Sequence, residues 1–151
     1  MFELFTDAAS AVLRHAVDEA LSLHAKEVEP VHLLLGIMDA DDGIAATVLQ
    51  GDGVGRQSVL RELDLTESTA SAPHRFHNRL KGGAIQYSGA SELALKAAEE
   101  QAKQLQSPTI SAGHLLLGLL EADDMKKLVG ALGAGADSIG STVKARLRDA
   151  G

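Results

Sequence analysis

A seven-residue apolar block occurs twice in this chain and constrains its fold more than any other feature. The first copy runs from His32 to Met38 and reads HLLLGIM, and the second runs from His114 to Leu120 and reads HLLLGLL. The copies lie 82 residues apart. A short apolar run fits either a buried helix or a buried strand, so the flanking residues must decide between them.

The similarity extends well beyond the block. At the offset of 82, residues 5–42 match residues 87–124 without a gap. A two-residue deletion then changes the offset to 80, at which Gly133 matches Gly53. The chain is therefore predicted to contain two copies of one structural unit.

The repeat predicts how the chain is divided. Residues 1–65 form the first repeat, residues 87–151 form the second, and residues 66–86 form a linker with a basic patch and two glycines. A unit of this size cannot bury its apolar faces alone, so the two repeats are expected to pack into one compact domain.

Apolar spacing predicts helices throughout each repeat. Residues 6–23 form an amphipathic helix, and Pro30 suits the first turn of the next helix, which contains the block. Residues 44–49 and 57–65 form two shorter helices. The core candidates of the block are Leu34, Leu35 and Met38. The predicted fold is all-α, with eight helices in two repeats related by a pseudo-twofold axis and the two long first helices near that axis.

Composition excludes several classes of function. The chain has 151 residues and no cysteine, which excludes disulfides and thiolate metal sites and favours a reducing, cytoplasmic setting. The net charge of −7 argues against nucleic-acid binding and suits basic partners. No apolar run is long enough to span a membrane, and the N-terminus lacks the basic region of a signal peptide.

Few side chains suggest catalysis or metal binding, and no cofactor is predicted. His32 and His114 could form a metal pair, but no ligand lies at helical spacing, so both are predicted to bond the local backbone at a helix start. His74 and His77 are assigned to a solvated linker. The Asp-Asp pairs at 41–42 and 123–124 lack a calcium-binding pattern and are assigned to turns.

The chain resembles the Clp N-terminal repeat domain, and the ClpC branch of that family most of all. The matching features are the opening MFELFTD, both HLLLG blocks and the GIAATVL that follows the first block. The resemblance covers the whole chain except the linker. It implies a domain without catalytic activity that receives clients and adaptor proteins and passes them to an ATPase ring.

One departure from the family pattern concerns phosphoarginine. In ClpC-type domains a Glu that binds the guanidinium of phosphoarginine precedes each block histidine, whereas this chain has Val31 and Gly113 there. Neither residue supplies a carboxylate, and Glu29 has only Ser111 as its counterpart. Phosphoarginine is therefore predicted to bind weakly or not at all.

The resemblance also implies a hydrophobic patch between the repeats that binds adaptors and, in some relatives, cyclic peptide antibiotics. Phe2 and Tyr87 match aromatic positions of that patch and are the expected anchors, although both could instead belong to the core. The remaining residues expected to line it are Leu13, Arg14, Glu92, Leu95 and Lys96. Arg14 and Lys96 differ from the residue types expected there, so the range of ligands should differ too.

Three hypotheses about function follow. The chain is either the substrate-receiving front of an unfoldase or a free-standing decoy that withholds ligands or antibiotics from a ClpC-type unfoldase. No phosphate-binding loop of the GxxxxGK[ST] type is present. A third hypothesis, an enzyme or small-molecule carrier on the same scaffold, would need convergent polar groups around a cavity.

Overall fold

The computed structural model describes residues 4–40, 43–67 and 85–150. The first repeat forms helices α1 (Asp7–Ser22), α2 (Pro30–Ala40), α3 (Ile44–Gly51) and α4 (Arg56–Glu67). The second repeat forms helices α5 (Gly89–Gln104), α6 (Ala112–Leu119), α7 (Asp123–Ala131) and α8 (Ala136–Ala150). Two short strands, β1 (Glu27–Val28) and β2 (Gln86–Tyr87), complete the described elements. The predicted all-α class with four helices in each repeat is confirmed.

The helix ends follow the chemistry of the capping residues. Thr6 Oγ1 accepts from the Ala9 amide at 3.1 Å, and Ser88 Oγ accepts from the Ser91 amide at 3.1 Å. Each hydroxyl satisfies a first-turn amide that has no partner within its helix. The long first helix of each repeat therefore begins at an equivalent residue.

Two sequence predictions differ from the observed elements. Asp123 and Asp124 lie in the first turn of α7 and not in a turn between helices. Their carboxylates are favourable there because the helix N-terminus carries partial positive charge. Helix α4 continues to Glu67, two residues into the predicted linker. Residues 68–84 of that linker and the Asp pair at 41–42 lie outside the described residues.

The two blocks form the buried centre of the fold. Leu34 is 1% exposed and Leu35 is fully buried, whereas Met38 is half-buried at the edge of the core. Residues 112–120 are all buried, which is typical of a helix packed on every side. The short apolar runs that could have been strands are therefore central helices.

The glycine of each block permits a close helix crossing. A Cβ atom on Gly36 would lie 2.6 Å from the carbonyl oxygen of Val12 in α1. A Cβ atom on Gly118 would lie 2.5 Å from the carbonyl oxygen of Ala94 in α5. Since Val12 and Ala94 are equivalent residues of the two repeats, the same glycine contact packs the first two helices of each repeat together.

The repeats exchange backbone hydrogen bonds in a reciprocal way. Val28 of the first repeat pairs with Tyr87 of the second in a parallel β1–β2 ladder. Phe5 of the first repeat forms a parallel bridge with Ile110 of the second. Phe5 matches Tyr87 at the 82-residue offset, and Val28 matches Ile110. The segment before the first helix of each repeat therefore binds the connection between the first two helices of the other.

Helix packing joins the repeats into one hydrophobic core. Helices α2 and α6, which contain the two blocks, contact each other across the repeats. Helix α2 also contacts α5, and helix α6 also contacts α1. The buried residues of both repeats form a single cluster.

Candidate functional site

The candidate interaction surface lies where the second repeat begins. Tyr87 is held in β2 by its pairing with Val28, and the Ser88 amide donates to the Val28 carbonyl oxygen at 3.0 Å. The Ser91 hydroxyl donates to the same oxygen at 2.6 Å. These bonds fix β2 and the start of α5 against the first repeat.

The predicted patch residues separate into a buried pair and an exposed charged set. Leu13 and Leu95 are equivalent residues of the two repeats and are 6% and 5% exposed, so both belong to the core. Arg14 and Lys96 are also equivalent, and both are exposed, as is Glu92. The two leucines therefore belong to the core, whereas Arg14, Glu92 and Lys96 reach the solvent.

Of the two predicted aromatic anchors, the structure describes Tyr87 only. Tyr87 is half-buried and packs against the core, and burial raises the pKa of its hydroxyl. That hydroxyl therefore stays protonated at neutral pH and can donate a hydrogen bond. Its counterpart Phe5 is 8% exposed. Phe2 lies outside the described residues.

Sequence reasoning missed an exposed leucine. Leu93 is 68% exposed in α5, between the exposed Glu92 and the buried Ala94. Its position off the apolar stripe of α5 was the available signal, because a leucine there has no core to enter. We define the junction surface as Tyr87, Glu92, Leu93 and Lys96, which all lie on β2 and the first two turns of α5.

The side chains of both block histidines form hydrogen bonds with the backbone. The Nδ1 atom of His32 accepts from the Glu29 amide at 2.8 Å, and the Nδ1 atom of His114 accepts from the Ser111 amide at 2.9 Å. Burial lowers the pKa of His32 to about 4, although the nearby Glu19 charge raises it in part. Burial also lowers the pKa of His114. The predicted role in bonding the backbone at a helix start is confirmed.

A charge cluster fastens the start of α4 in the first repeat. Arg56 Nη2 donates to Glu19 Oε1 at 3.0 Å, Arg56 Nη1 donates to Glu19 Oε2, and Nη1 also donates to Asp39 Oδ2 at 3.0 Å. Glu19 is 7% exposed. Burial by itself would raise the pKa of Glu19, but the hydrogen bonds and the charge of Arg56 outweigh burial and lower it. One guanidinium therefore joins α1, α2 and α4.

Two kinds of structural feature are absent from the described part of the chain. No group of three His, Asp or Glu side chains within residues 4–40, 43–67 and 85–150 is arranged to hold a metal ion. None of the helices described there combines the length and apolar character needed to cross a bilayer. The linker residues His74 and His77 lie outside these ranges.

Comparison with known proteins identifies a shared sequence family. The family model described as the Clp repeat (R) N-terminal domain matches residues 4–132. The chain is 28% identical over 124 residues to the ATP-dependent Clp protease ATP-binding subunit ClpC of Staphylococcus saprophyticus. It is 27% identical over 124 residues to the protein of the same name from Staphylococcus aureus. Each match covers 82% of this chain, which spans only 14% of the length of either relative.

Solved structures share the fold. The N-terminal domain of the chaperone ClpD from Arabidopsis thaliana superimposes with a TM-score of 0.78 at 22% identity, covering 98% of this chain and 97% of that one. The Hsp104 N-terminal domain from Candida albicans superimposes with a TM-score of 0.73 at 19% identity, covering 92% and 88%. The two-repeat helical architecture is thus common to these domains.

Proposed function

Because this chain belongs to the Clp repeat N-terminal domain family, we propose that it is a non-catalytic protein-interaction domain of a Clp system, which receives clients or adaptor proteins at the junction surface. The observation that carries the proposal is Leu93, which is 68% exposed on α5 and follows the half-buried Tyr87 by six residues in the sequence. A large apolar side chain held in water by a rigid helix gains free energy when a partner covers it.

The junction surface suits a polypeptide with both apolar and charged groups. Tyr87 is half-buried and carries a hydroxyl group, and Leu93 exposes an aliphatic side chain. Glu92 and Lys96 lie four residues apart on α5, so they stand on one side of the helix beside Leu93. Side chains of this kind form a common interface pattern, in which apolar anchors are surrounded by a polar rim. We propose extended or unfolded segments of client proteins as the principal occupants.

Replacing the anchors should weaken client binding. Tyr87→Ala is expected to weaken the binding of a fluorescently labelled, reduced and carboxymethylated α-lactalbumin by about tenfold, because aromatic anchors carry a large share of interface energy. Leu93→Ser is expected to weaken it by about fivefold, since less area is lost. Fluorescence anisotropy gives both dissociation constants.

A second exposed leucine provides the matched control. Leu23, the C-cap residue of α1, is 40% exposed and is not one of the residues that define the junction surface. Leu23→Ser should leave the dissociation constant unchanged. If Leu93→Ser and Tyr87→Ala both bind as tightly as the unaltered protein, the junction surface is not where clients bind.

The residues before the block histidines support a proposal about phosphoarginine. Val31 is half-buried, and a Cβ atom on Gly113 would lie 3.0 Å from Leu147 Cδ2 of α8. The position that carries a glutamate in related domains is therefore covered by an apolar side chain in the second repeat. A guanidinium brought there would lose water without gaining a carboxylate partner.

Free phosphoarginine is accordingly expected to show no binding at micromolar concentrations. Isothermal titration of the intact chain measures this directly, with unphosphorylated arginine as the comparison. A dissociation constant in the micromolar range for phosphoarginine would contradict the proposal.

Two finer features of the proposed function concern ligand range and location. We propose cyclic peptide antibiotics as further ligands of the junction surface, with a range altered by the exposed Lys96. The proposed site of action is the cytoplasm, where a chain without cysteine needs no oxidising environment.

A further inference from the structure

The second repeat contains positions equivalent to the charge cluster of Arg56, Glu19 and Asp39 in the first repeat, but no arginine at the position of Arg56. At the repeat offsets, Glu19 corresponds to Gln101, Asp39 corresponds to Glu121, and Arg56 corresponds to Ala136. Arg56 and Ala136 are each the first residue of the fourth helix of their repeat. The second repeat thus keeps the acceptor positions of the cluster and lacks its guanidinium.

A cavity lies where that guanidinium would be. It has a volume of about 390 Å³, and its lining includes Gln101, Glu121 and Ala136 together with Leu117, Leu120 and Gly140. The two leucines and the glycine form an apolar part of the wall, which suits the methylene groups of an arginine side chain.

The polar groups of the cavity are incompletely satisfied. Gln101 Nε2 donates to Glu121 Oε2 at 2.7 Å, which fixes the orientation of the amide because the oxygen cannot face the carboxylate. Gln101 is 8% exposed, and its Oε1 atom is buried with no hydrogen-bond donor among the described residues. A buried acceptor without a donor is costly, so a donor that enters the cavity gains this bond.

The charges around the cavity leave a carboxylate available. Asp137, Lys126 and Lys144 also line it, so the lining carries two acids and two bases. Among the described residues, Arg56 forms ion pairs with Glu19 and Asp39, whereas Glu121 forms none. A planar guanidinium with several donors can bond Glu121 and Gln101 Oε1 together, which a lysine ammonium does less well.

We propose that this cavity binds an arginine side chain of a partner polypeptide, with its guanidinium on Glu121 and Gln101 Oε1. The site is separate from the junction surface and does not depend on the function proposed above. The chain itself supplies the precedent, because Arg56 occupies the equivalent place in the first repeat and bonds the equivalent Glu19 and Asp39.

Titration with short peptides tests the site in the intact chain. The probes are acetyl-Gly-Arg-Gly-amide and its lysine and citrulline analogues, followed by NMR through the Gln101 side-chain amide and the backbone amides of Glu121 and Gly140. The arginine peptide is expected to bind at least about tenfold more tightly than either analogue. Equal shifts with the citrulline peptide would overturn the proposal, because citrulline keeps the shape and loses the charge.

Two variants locate the binding. Ala136→Arg should place the chain's own guanidinium in the cavity, abolish peptide binding and raise the melting temperature. Glu121→Gln should abolish binding with little effect on folding, since Glu121 is exposed. Glu100→Gln is the matched control, an exposed residue on α5 outside the cavity lining, and should bind as the unaltered protein does. Undiminished binding by Glu121→Gln would show that the peptide lies elsewhere.

Discussion

Gly118→Ala is expected to lower the free energy of unfolding by about 3 kcal/mol or more, at the upper end of the range for overpacked cores. The new Cβ atom would lie 2.5 Å from the Ala94 carbonyl oxygen and 2.6 Å from the Ala98 nitrogen. Both are backbone atoms of α5, so no flexible side chain can move aside. Helix α6 would have to separate from α5, and contacts along the whole crossing would be lost.

Gly130→Ala is the matched control for this substitution. Gly130 lies in α7, and no atom comes within 4 Å of a Cβ atom placed on it. Alanine should therefore stabilise this helix by up to about 1 kcal/mol through its higher helix propensity. Urea denaturation followed by circular dichroism compares the two variants. A Gly118→Ala protein as stable as Gly130→Ala would show that the block glycine does not set the helix crossing.

The free energy of unfolding should fall by about 3 kcal/mol as the pH drops from about 6.5 to about 4, because of His32. Burial lowers the pKa of this histidine from 6.5 to about 4 in the folded protein. Between these values the unfolded chain binds a proton that the folded chain does not, so acid favours unfolding. Stability from this group is full above pH 6.5 and is lost as the pH falls through about 4.

His32→Gln should remove this part of the pH dependence. A glutamine can still accept from the Glu29 amide, as Gln does at the same position of a capping box, but it does not titrate. His15→Gln, a change at an exposed histidine of α1, serves as the comparison. The measurement is a series of urea denaturation curves at several pH values. If the free energy of unfolding depends on pH in the same way in all three proteins, His32 is not the source of the acid sensitivity.

The helical framework could be predicted from the sequence because its signals are periodic and occur twice. The apolar spacing over residues 6–23 predicted α1 to within a residue at either end. Pro30 and the surrounding pattern predicted that the block is a helix. The role of the block glycine was not predicted, because close approach of two backbones depends on tertiary packing.

The backbone pairing between the repeats and part of the candidate site could not be predicted from the sequence. Strands of two residues, such as Gln86–Tyr87, are too short to produce alternation, and their pairing joins distant parts of the chain. Leu13 and Leu95 were predicted to line the patch, but the structure places both in the core. Leu93 was missed because neither repeat periodicity nor family resemblance points to it.

Site-specific photocrosslinking tests the central claim, that clients bind at the junction surface, most directly. Benzoylphenylalanine is introduced at Leu93 in one protein and at Leu23 in another, and each is irradiated with reduced, carboxymethylated α-lactalbumin. Both positions are exposed leucines, so neither replacement disturbs the core. The account predicts a crosslinked product from position 93 that Tyr87→Ala removes, and none from position 23. Equal crosslinking at both positions, or crosslinking at position 23 alone, would contradict it.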